Sequence, residues 1–575
     1  MANLFRNSDS FGPSELDAAP RLGMVVKGSL KSGVDVKLDP AVSVEDPEVQ
    51  VGRYVVIEGR RQRFFGLITD VALEAIDPQF AVTPPDTGDD FIAEVLQGTA
   101  TYGTLHVLPS LTVPRTAVRG LEGAAPQPVK TVPSHYAAVH EASEADIALI
   151  FGEEGATNFF VGSPPDMESK VCLDLKTFIT RSNGVFGKSG TGKTFLTRLL
   201  LLGLVQAGSQ SDARNVNLVF DMHSEYGWKG YSESAPGREV KGLKQIPGFG
   251  PRVAIFSLDE ESSRRRGASP DHVVRIGYDE VTPEDLLLLR EPLNLHERGL
   301  DAAHEMHDLF GKGWLSSFLE TPTREIKEAL EAKGGSEFHP GSLSALKTSL
   351  QRLRRFRFMV EPGAVEQAVR KGSVQAILDY LESGRHVILE FGRYGSDPTA
   401  YVLVANLLTR RIHERWVELT EKALGDPVQM PPTLVITIEE AHKFLSREVA
   451  PQTIFGNIAR EMRKYNVTLR VVDQRPSGID DEILSQLGTK LCCLLDNERD
   501  VDSVLAGVAG RSELREVLAH LESKQQALIF GHAVPMPVVV RVRDYGTEQS
   551  YAAFGEGSRG GLDREALRRA MWEDT

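Results

Sequence analysis

Eight consecutive residues, Gly187-Lys188-Ser189-Gly190-Thr191-Gly192-Lys193-Thr194, restrict the possible folds of this chain more than any other stretch. Holding a phosphate through the backbone needs several N–H groups converging on one point. That requires glycines that accept unusual dihedrals, placed where the dipole of a helix N-terminus favours an anion. Gly187, Gly190 and Gly192 meet this need, Lys193 offers a cation to the β- and γ-phosphates, and Thr194 offers a hydroxyl to Mg²⁺. The whole loop, Lys188, Ser189 and Thr191 included, is a candidate ATP contact. Gly184-Val185-Phe186 before it reads as a strand end and the apolar run 195–205 after it as a helix, so the loop belongs to an α/β sheet.

A phosphate loop that hydrolyses its ligand needs a second strand ending in acid, and Leu434-Val435-Ile436-Thr437-Ile438-Glu439-Glu440 has that form. Glu439 is the candidate for Mg²⁺ support and Glu440 for polarising the attacking water. The plainer alternative is a buried strand ending in two solvated acids. Two further apolar runs end in polar residues and belong on the same carboxyl edge, where open α/β sheets bind ligands. One is Leu218-Val219-Phe220-Asp221, followed by Met222-His223-Ser224-Glu225-Tyr226. His223 and Glu225 read equally well as catalytic residues and as a hydrogen-bonded pair in a turn. The other, Leu469-Arg470-Val471-Val472-Asp473, places Gln474 to sense the γ-phosphate or its water.

Arg460-Glu461-Met462-Arg463-Lys464-Tyr465 is a basic helical stretch. In ring ATPases an arginine of one subunit reaches the neighbour's γ-phosphate, because a planar, permanently charged fork suits developing phosphoryl charge. Arg463 or Arg460 fits that role; a solvated helix face or a salt bridge to Glu461 fits it equally. Arg264-Arg265-Arg266, and Arg352, Arg354, Arg355 and Arg357 interleaved with Phe356 and Phe358, are candidate DNA phosphate contacts or else solvated, ion-paired faces.

At 575 residues the chain exceeds what one core supports, so two or three units are expected. Short β-rich runs from residue 22 to about 131 indicate a small barrel or sandwich, with a loop over 84–90 and the last connection over 126–133. From about 156 to 545, apolar strands alternate with helical stretches around a mainly parallel sheet, interrupted over about 259–384 by a charged, mostly helical insertion. Beyond 545, Gly555-Glu556-Gly557 and Gly560-Gly561 read as a flexible joint before a helix over 562–572, which either braces a neighbouring subunit or frays at the surface.

Three cysteines without a CxxC spacing point away from a disulfide framework or a thiolate zinc site, and toward a reducing cytoplasm. No signal peptide or membrane span is read. The formal net charge of −15 excludes a surface that attracts nucleic acid everywhere and leaves room only for a locally basic one.

Taken together, the phosphate loop, Asp221-Met222-His223-Ser224-Glu225-Tyr226, Ile438-Glu439-Glu440-Ala441-His442-Lys443-Phe444-Leu445, Arg463-Lys464-Tyr465 and Gln474-Arg475-Pro476-Ser477 resemble the HerA/FtsK superfamily, and within it HerA. Ser485-Gln486-Leu487-Gly488-Thr489-Lys490 and Gly531-His532-Ala533-Val534-Pro535-Met536-Pro537-Val538 are similar to that family's closing motifs. Val51-Gly52-Arg53-Tyr54-Val55-Val56-Ile57 is similar to the HAS-barrel that precedes the motor. The resemblance implies an α/β RecA-like P-loop ATPase core with a helical insertion, behind a small N-terminal β-barrel. It implies a homohexameric ring that uses ATP and Mg²⁺ to move double-stranded DNA through a central channel, as a translocase or helicase working with a NurA-like nuclease in DNA end processing and repair. Relatives also pair with antiphage effectors, including sirtuin-like ones, so a second reading is an ATP-gated scaffold that assembles a defence effector.

By the same resemblance, Lys193 and Thr194 match the P-loop pair, Glu439 and Glu440 the Walker B acids, Gln474 the sensor, Arg463 the finger in trans, and Arg181 an upstream arginine near the nucleotide. Ser182 stands where relatives often carry His, Glu439 where Asp is common, and Arg460-Glu461-Met462 departs from the Glu-Gly that often precedes the Arg-Lys pair.

Overall fold

The computed structural model describes residues 21–77, 80, 96, 100–115, 125–165, 167–208, 213–231, 239–287, 289–332, 339–361, 372–426, 429–522 and 524–559. They divide into two compact units, one built on residues up to 150 with the stretches 167–169 and 512–517, the other on the remainder.

Apolar and polar residues alternate through the first unit, and its strands bury one side of each pleat; in Gly33–Leu38 the buried side chains are Val34, Val36 and Leu38. Among the described residues six strands make the wall, β1 (Arg21–Ser29), β2 (Gly33–Leu38), β3 (Tyr54–Glu58), β4 (Gln62–Ala75), β5 (Thr101–Pro114) and β6 (Ala138–Glu141), and a two-residue strand, Gln127–Pro128, pairs with β5. They pair in the order β2-β1-β6-β3-β4-β5, and β5 returns to β2, so the sheet closes into a barrel and keeps no free edge. Val36, Val55, Ile57, Ile68, Leu105, Val107 and Val139 fill it. β6 lies beyond residue 131, where the strand-rich stretch was expected to stop; four residues are too few for alternation to register. Arg53, buried in the wall, is paired with Glu141.

The second unit is a twelve-stranded sheet: β7 (Asn158–Ser163), β8 (Val171–Asp174), β9 (Asn183–Phe186), β10 (Asn215–Asp221), β11 (Val253–Ser257), β12 (His272–Val273), β13 (His386–Glu390), β14 (Thr433–Glu439), β15 (Val467–Asp473), β16 (Thr489–Cys492), β17 (Gln526–Gly531) and β18 (Val538–Val542). Their order is β12-β11-β13-β10-β14-β15-β9-β16-β17-β18-β7-β8. Neighbours are parallel from β12 to β16 and antiparallel from there to β8. β10, β13 and β15 are buried along their whole length, as strands covered on both faces must be.

Between β11 and β13 the chain runs through helices that include Glu297–Phe310, Trp314–Glu320, Thr323–Ala332 and Pro340–Gln351. They share a core around Trp314, Phe318, Leu343 and Leu350, and the Trp314 indole donates to the Val281 carbonyl at 2.8 Å. Gly555-Glu556-Gly557, expected as a flexible joint, lies inside the helix Glu548–Arg559. Tyr551 and Phe554 of that helix pack on Tyr545 at ring separations of 5.6 and 6.2 Å, and this packing outweighs the low helix propensity of glycine. The helix expected over 562–572 and the loop over 84–90 lie outside the described residues. Among the described residues no helix is long and apolar enough to cross a membrane.

Candidate nucleotide site

β9 delivers the phosphate loop to the start of the helix Lys193–Ala207, and Gly192 caps that helix in the left-handed region at φ 103°. At Gly187 a side chain is excluded by packing, since a Cβ there would stand 2.7 Å from Cys493 Cβ and 2.8 Å from Thr191 Oγ1. The Lys188 carbonyl gathers the loop by accepting from Lys193 Nζ and from Thr191 Oγ1, each at 2.8 Å. Lys188 itself turns outward to Asp496 at 2.9 Å.

A cleft of about 230 Å³ opens beside the loop, lined by Ser189, Gly190, Lys193 and Thr194 on one side and by His223, Glu225, Glu439, Glu440 and Gln474 on the other. Strand order explains the grouping. β15 lies between β9 and β14, so Gln474 at its end stands between the loop and Glu440. Gln474 Nε2 donates to Glu440 Oε1 at 3.0 Å. Glu440 sits at φ 48°, a left-handed conformation that costs a non-glycine residue about 1–3 kcal/mol and marks a position held by its surroundings. Its carbonyl accepts from Lys443 N at 2.9 Å. Asp473, fully buried, accepts from the backbone N–H of His442 and of Arg475, each at 2.7 Å. The hydrogen bond from the His442 ring to Asp473, at 3.0 Å, holds that imidazole's pKa above its ordinary value.

Glu439 is held differently. Its carboxylate accepts from Met222 N at 3.1 Å and from Tyr226 OH at 2.7 Å, and its carbonyl accepts from Tyr401 OH at 2.9 Å. Burial pushes its carboxyl pKa up. Asp221, fully buried beside it, is raised well above the usual carboxylate range by burial and then by the charges of Glu439 and Glu390. Asp221 in turn accepts from the N–H groups of Glu225 at 2.7 Å and Tyr226 at 2.8 Å, across a turn in which Ser224 is left-handed at φ 58°. The turn delivers Glu225 to the loop, where its carboxylate accepts from Thr194 Oγ1 at 2.9 Å. At the expected Mg²⁺ position the direct partner of Thr194 is therefore Glu225, with Glu439 farther back. A hydroxyl and two carboxylates form a hard oxygen set that suits Mg²⁺ completed by phosphate and water.

Residues 159–412 match the family described as "Helicase HerA, central domain". Over that stretch the chain carries a HerA-type central domain. It is similar to the DNA double-strand break repair helicase HerA of Pyrococcus furiosus, at 27% identity over 75% of this chain and 77% of the relative. It is also similar to the HerA of Sulfolobus acidocaldarius, at 22% identity over 88% of this chain and 91% of the relative. Among solved structures it resembles the bacterial conjugative coupling protein TrwB at a TM-score of 0.45 and 10% identity, over 71% of this chain and 95% of that one.

Family motifs drew attention to three arginines; of these, Arg460 and Arg181 do not line this chain's own cleft. Arg460 lies 3.8 Å from Asp480 and 3.4 Å from Glu482. Arg463 is in the turn Met462–Tyr465, and its side chain lies outside what is described. Arg181 precedes β9, on the sheet edge opposite the loop that follows β9, so its expected place near the nucleotide is not met within one chain. Arg264 is paired with Glu260 at 2.6 Å and Arg265 with Glu261. Arg266 instead turns inward, to Glu390 at 2.6 Å and to the Ser224 carbonyl at 3.2 Å, bracing the turn that carries Glu225. Phe356 and Phe358, which alternate with the arginines in the sequence, are buried, stacked on each other at 5.2 Å and edge-on to Tyr394.

The roles that Tyr226, Tyr401, Arg266 and Arg470 take in bracing the site were not assigned from the sequence. Arg470 is fully buried in β15, donates to Asn183 Oδ1 at 3.0 Å, and is lowered by burial to about 9. An arginine within an otherwise apolar strand was the available signal. Tyr401 gave none, because its helix, Pro398–Lys422, comes before β14 in the chain.

Proposed function

We propose that this chain hydrolyses ATP with Mg²⁺ and uses the energy to move double-stranded DNA, as a homohexameric ring working with a NurA-like nuclease in end processing. The observation that carries the hydrolytic part is Glu440, held on a strained turn, hydrogen-bonded to Gln474 and facing Lys193 and Thr194 across one cleft. The loop N–H groups and the Lys193 ammonium bind and orient the phosphates. Mg²⁺, held by Thr194 and the Glu225 and Glu439 carboxylates, would neutralise charge that develops on the β- and γ-oxygens. The Glu440 carboxylate accepts the proton of the attacking water, and Gln474 keeps that carboxylate and the water in line. DNA as substrate is supported by the relatives, two of which are named as DNA double-strand break repair helicases.

An arginine from the next subunit completes the site: Arg463 or Arg460 as the finger, with Arg181 just before the phosphate-loop strand. Trans completion of each site favours a closed ring. The test is ATP turnover at low salt with and without blunt duplex DNA. Duplex is expected to raise the rate, and a Mg²⁺ chelator to abolish it. A rate unchanged by saturating duplex contradicts the proposal.

A further inference from the structure

Arginines are concentrated at one place in the helical insertion, and their arrangement has structural causes. After the helix Pro340–Gln351 the chain makes the turn Arg352–Arg355 and continues to Phe358. Leu353, Phe356 and Phe358 are buried, which forces Arg352, Arg354, Arg355 and Arg357 outward, and all four are exposed. Arg393 joins them from the turn Gly392–Tyr394 that follows β13.

Aromatic rings hold this ledge rigid. The Arg355 guanidinium lies over the Phe356 ring at 4.8 Å and that of Arg393 over the Tyr394 ring at 5.2 Å, while Arg357 N donates to Tyr394 OH at 3.2 Å. A cavity of about 780 Å³ opens between Arg355 and Arg393. Arg355 is paired with Asp397 at 2.5 Å and Arg393 with Asp259 at 3.2 Å. Among the described residues, Arg352, Arg354 and Arg357 have no acid within salt-bridge distance. In a chain of formal charge −15, this is a fixed basic surface that the chain's own acids neutralise only in part.

We propose that Arg352, Arg354, Arg355, Arg357 and Arg393 form the surface that contacts the phosphate backbone of duplex DNA. The inference rests on the DNA-translocase reading and names the part of the chain that would carry it out. Planar guanidinium forks match phosphate oxygens two at a time. Protein partners are anchored by aromatic or aliphatic side chains in desolvated pockets, but the aromatics of this ledge are buried beneath it. Single strands are gripped by stacking bases on exposed rings, which the burial of Phe356 and Phe358 denies them. What remains is backbone contact, which positions a duplex without reading its sequence.

The test compares the wild-type protein with R352A/R354A/R357A, a variant that leaves both ion-paired arginines in place. Binding of a fluorescein-labelled blunt duplex of about 30 base pairs is followed by anisotropy across a salt series. The variant is expected to bind at least ~10-fold more weakly, and its log Kd against log salt slope to fall by about 3, near 0.9 for each phosphate that is no longer neutralised. ATP turnover without DNA is expected to stay at the wild-type rate, and the matching triple lysine variant to recover the slope. Unchanged affinity and slope in the alanine variant, with wild-type binding intact, overturn the ledge while the translocase reading stands. A wild-type protein that binds no duplex overturns both. Loss of single-strand binding alone, or displacement of duplex from wild type by polyglutamate at equal charge, overturns the duplex assignment in favour of a single strand or an acidic protein.

Discussion

The nucleotide cleft and the arginine ledge both depend on charge, and they hold it in opposite ways. In the cleft, Glu439 and Asp221 are buried and saturated with hydrogen bonds from Met222, Tyr226 and Glu225. On the ledge, Arg354 and Arg357 are exposed, and only the ring packing beneath them is fixed. Buried polar groups with fixed partners are preorganised, so they act at a reacting phosphoryl group without rearranging and are little affected by salt. Exposed charge on a rigid base suits a ligand that must be held along its length and released, since its binding energy comes from counter-ions given up by the polyanion.

Glu440→Gln should have the largest effect. It keeps the shape and the contact with Gln474 but removes the proton acceptor. ATP hydrolysis should fall by roughly 10²–10⁴ while binding of a fluorescent ATP analogue is retained. An equal fall in both would move Glu440 from chemistry to binding and erase the contrast with the ledge. Tyr226→Phe should be milder. It removes the hydroxyl that Glu439 accepts from at 2.7 Å and leaves a buried carboxylate short of one donor. A decrease of about 1–3 kcal/mol in unfolding free energy is expected, with reduced turnover that added salt neither worsens nor restores. If the defect instead tracked ionic strength as duplex binding does, the cleft would be no drier than the ledge.

How far these features could be read from sequence depends on how local their causes are. The phosphate loop was legible because its glycines and Lys193 lie within eight residues, between a strand and a helix that are themselves apolar runs. Glu440 and Gln474 were legible as strand ends, but their contact was not: it depends on β15 lying between β9 and β14, a pairing between strands distant in sequence. Glu225 stayed ambiguous until the Asp221 turn placed it on Thr194. Arg264-Arg265-Arg266 looks like one charge run, and only packing separates the two that face outward from the one that reaches Glu390. The alternation of Phe356 and Phe358 with arginines left that stretch open between phosphate contacts and a solvated face; Tyr394, more than thirty residues on, draws both rings into a core and leaves only the arginines outside. The strands of the first unit were visible, but their spacing left barrel and sandwich open, because closure depends on β5 returning to β2.

The proposed coupling of ATP hydrolysis in this cleft to movement along duplex DNA can be measured. Displacement of a labelled third strand from a triplex, which requires movement without requiring strand separation, tests it most directly. Displacement is expected from the wild-type protein only with ATP and Mg²⁺ present, and none from Glu440→Gln. Steady duplex-stimulated ATP turnover with the third strand left in place would contradict it.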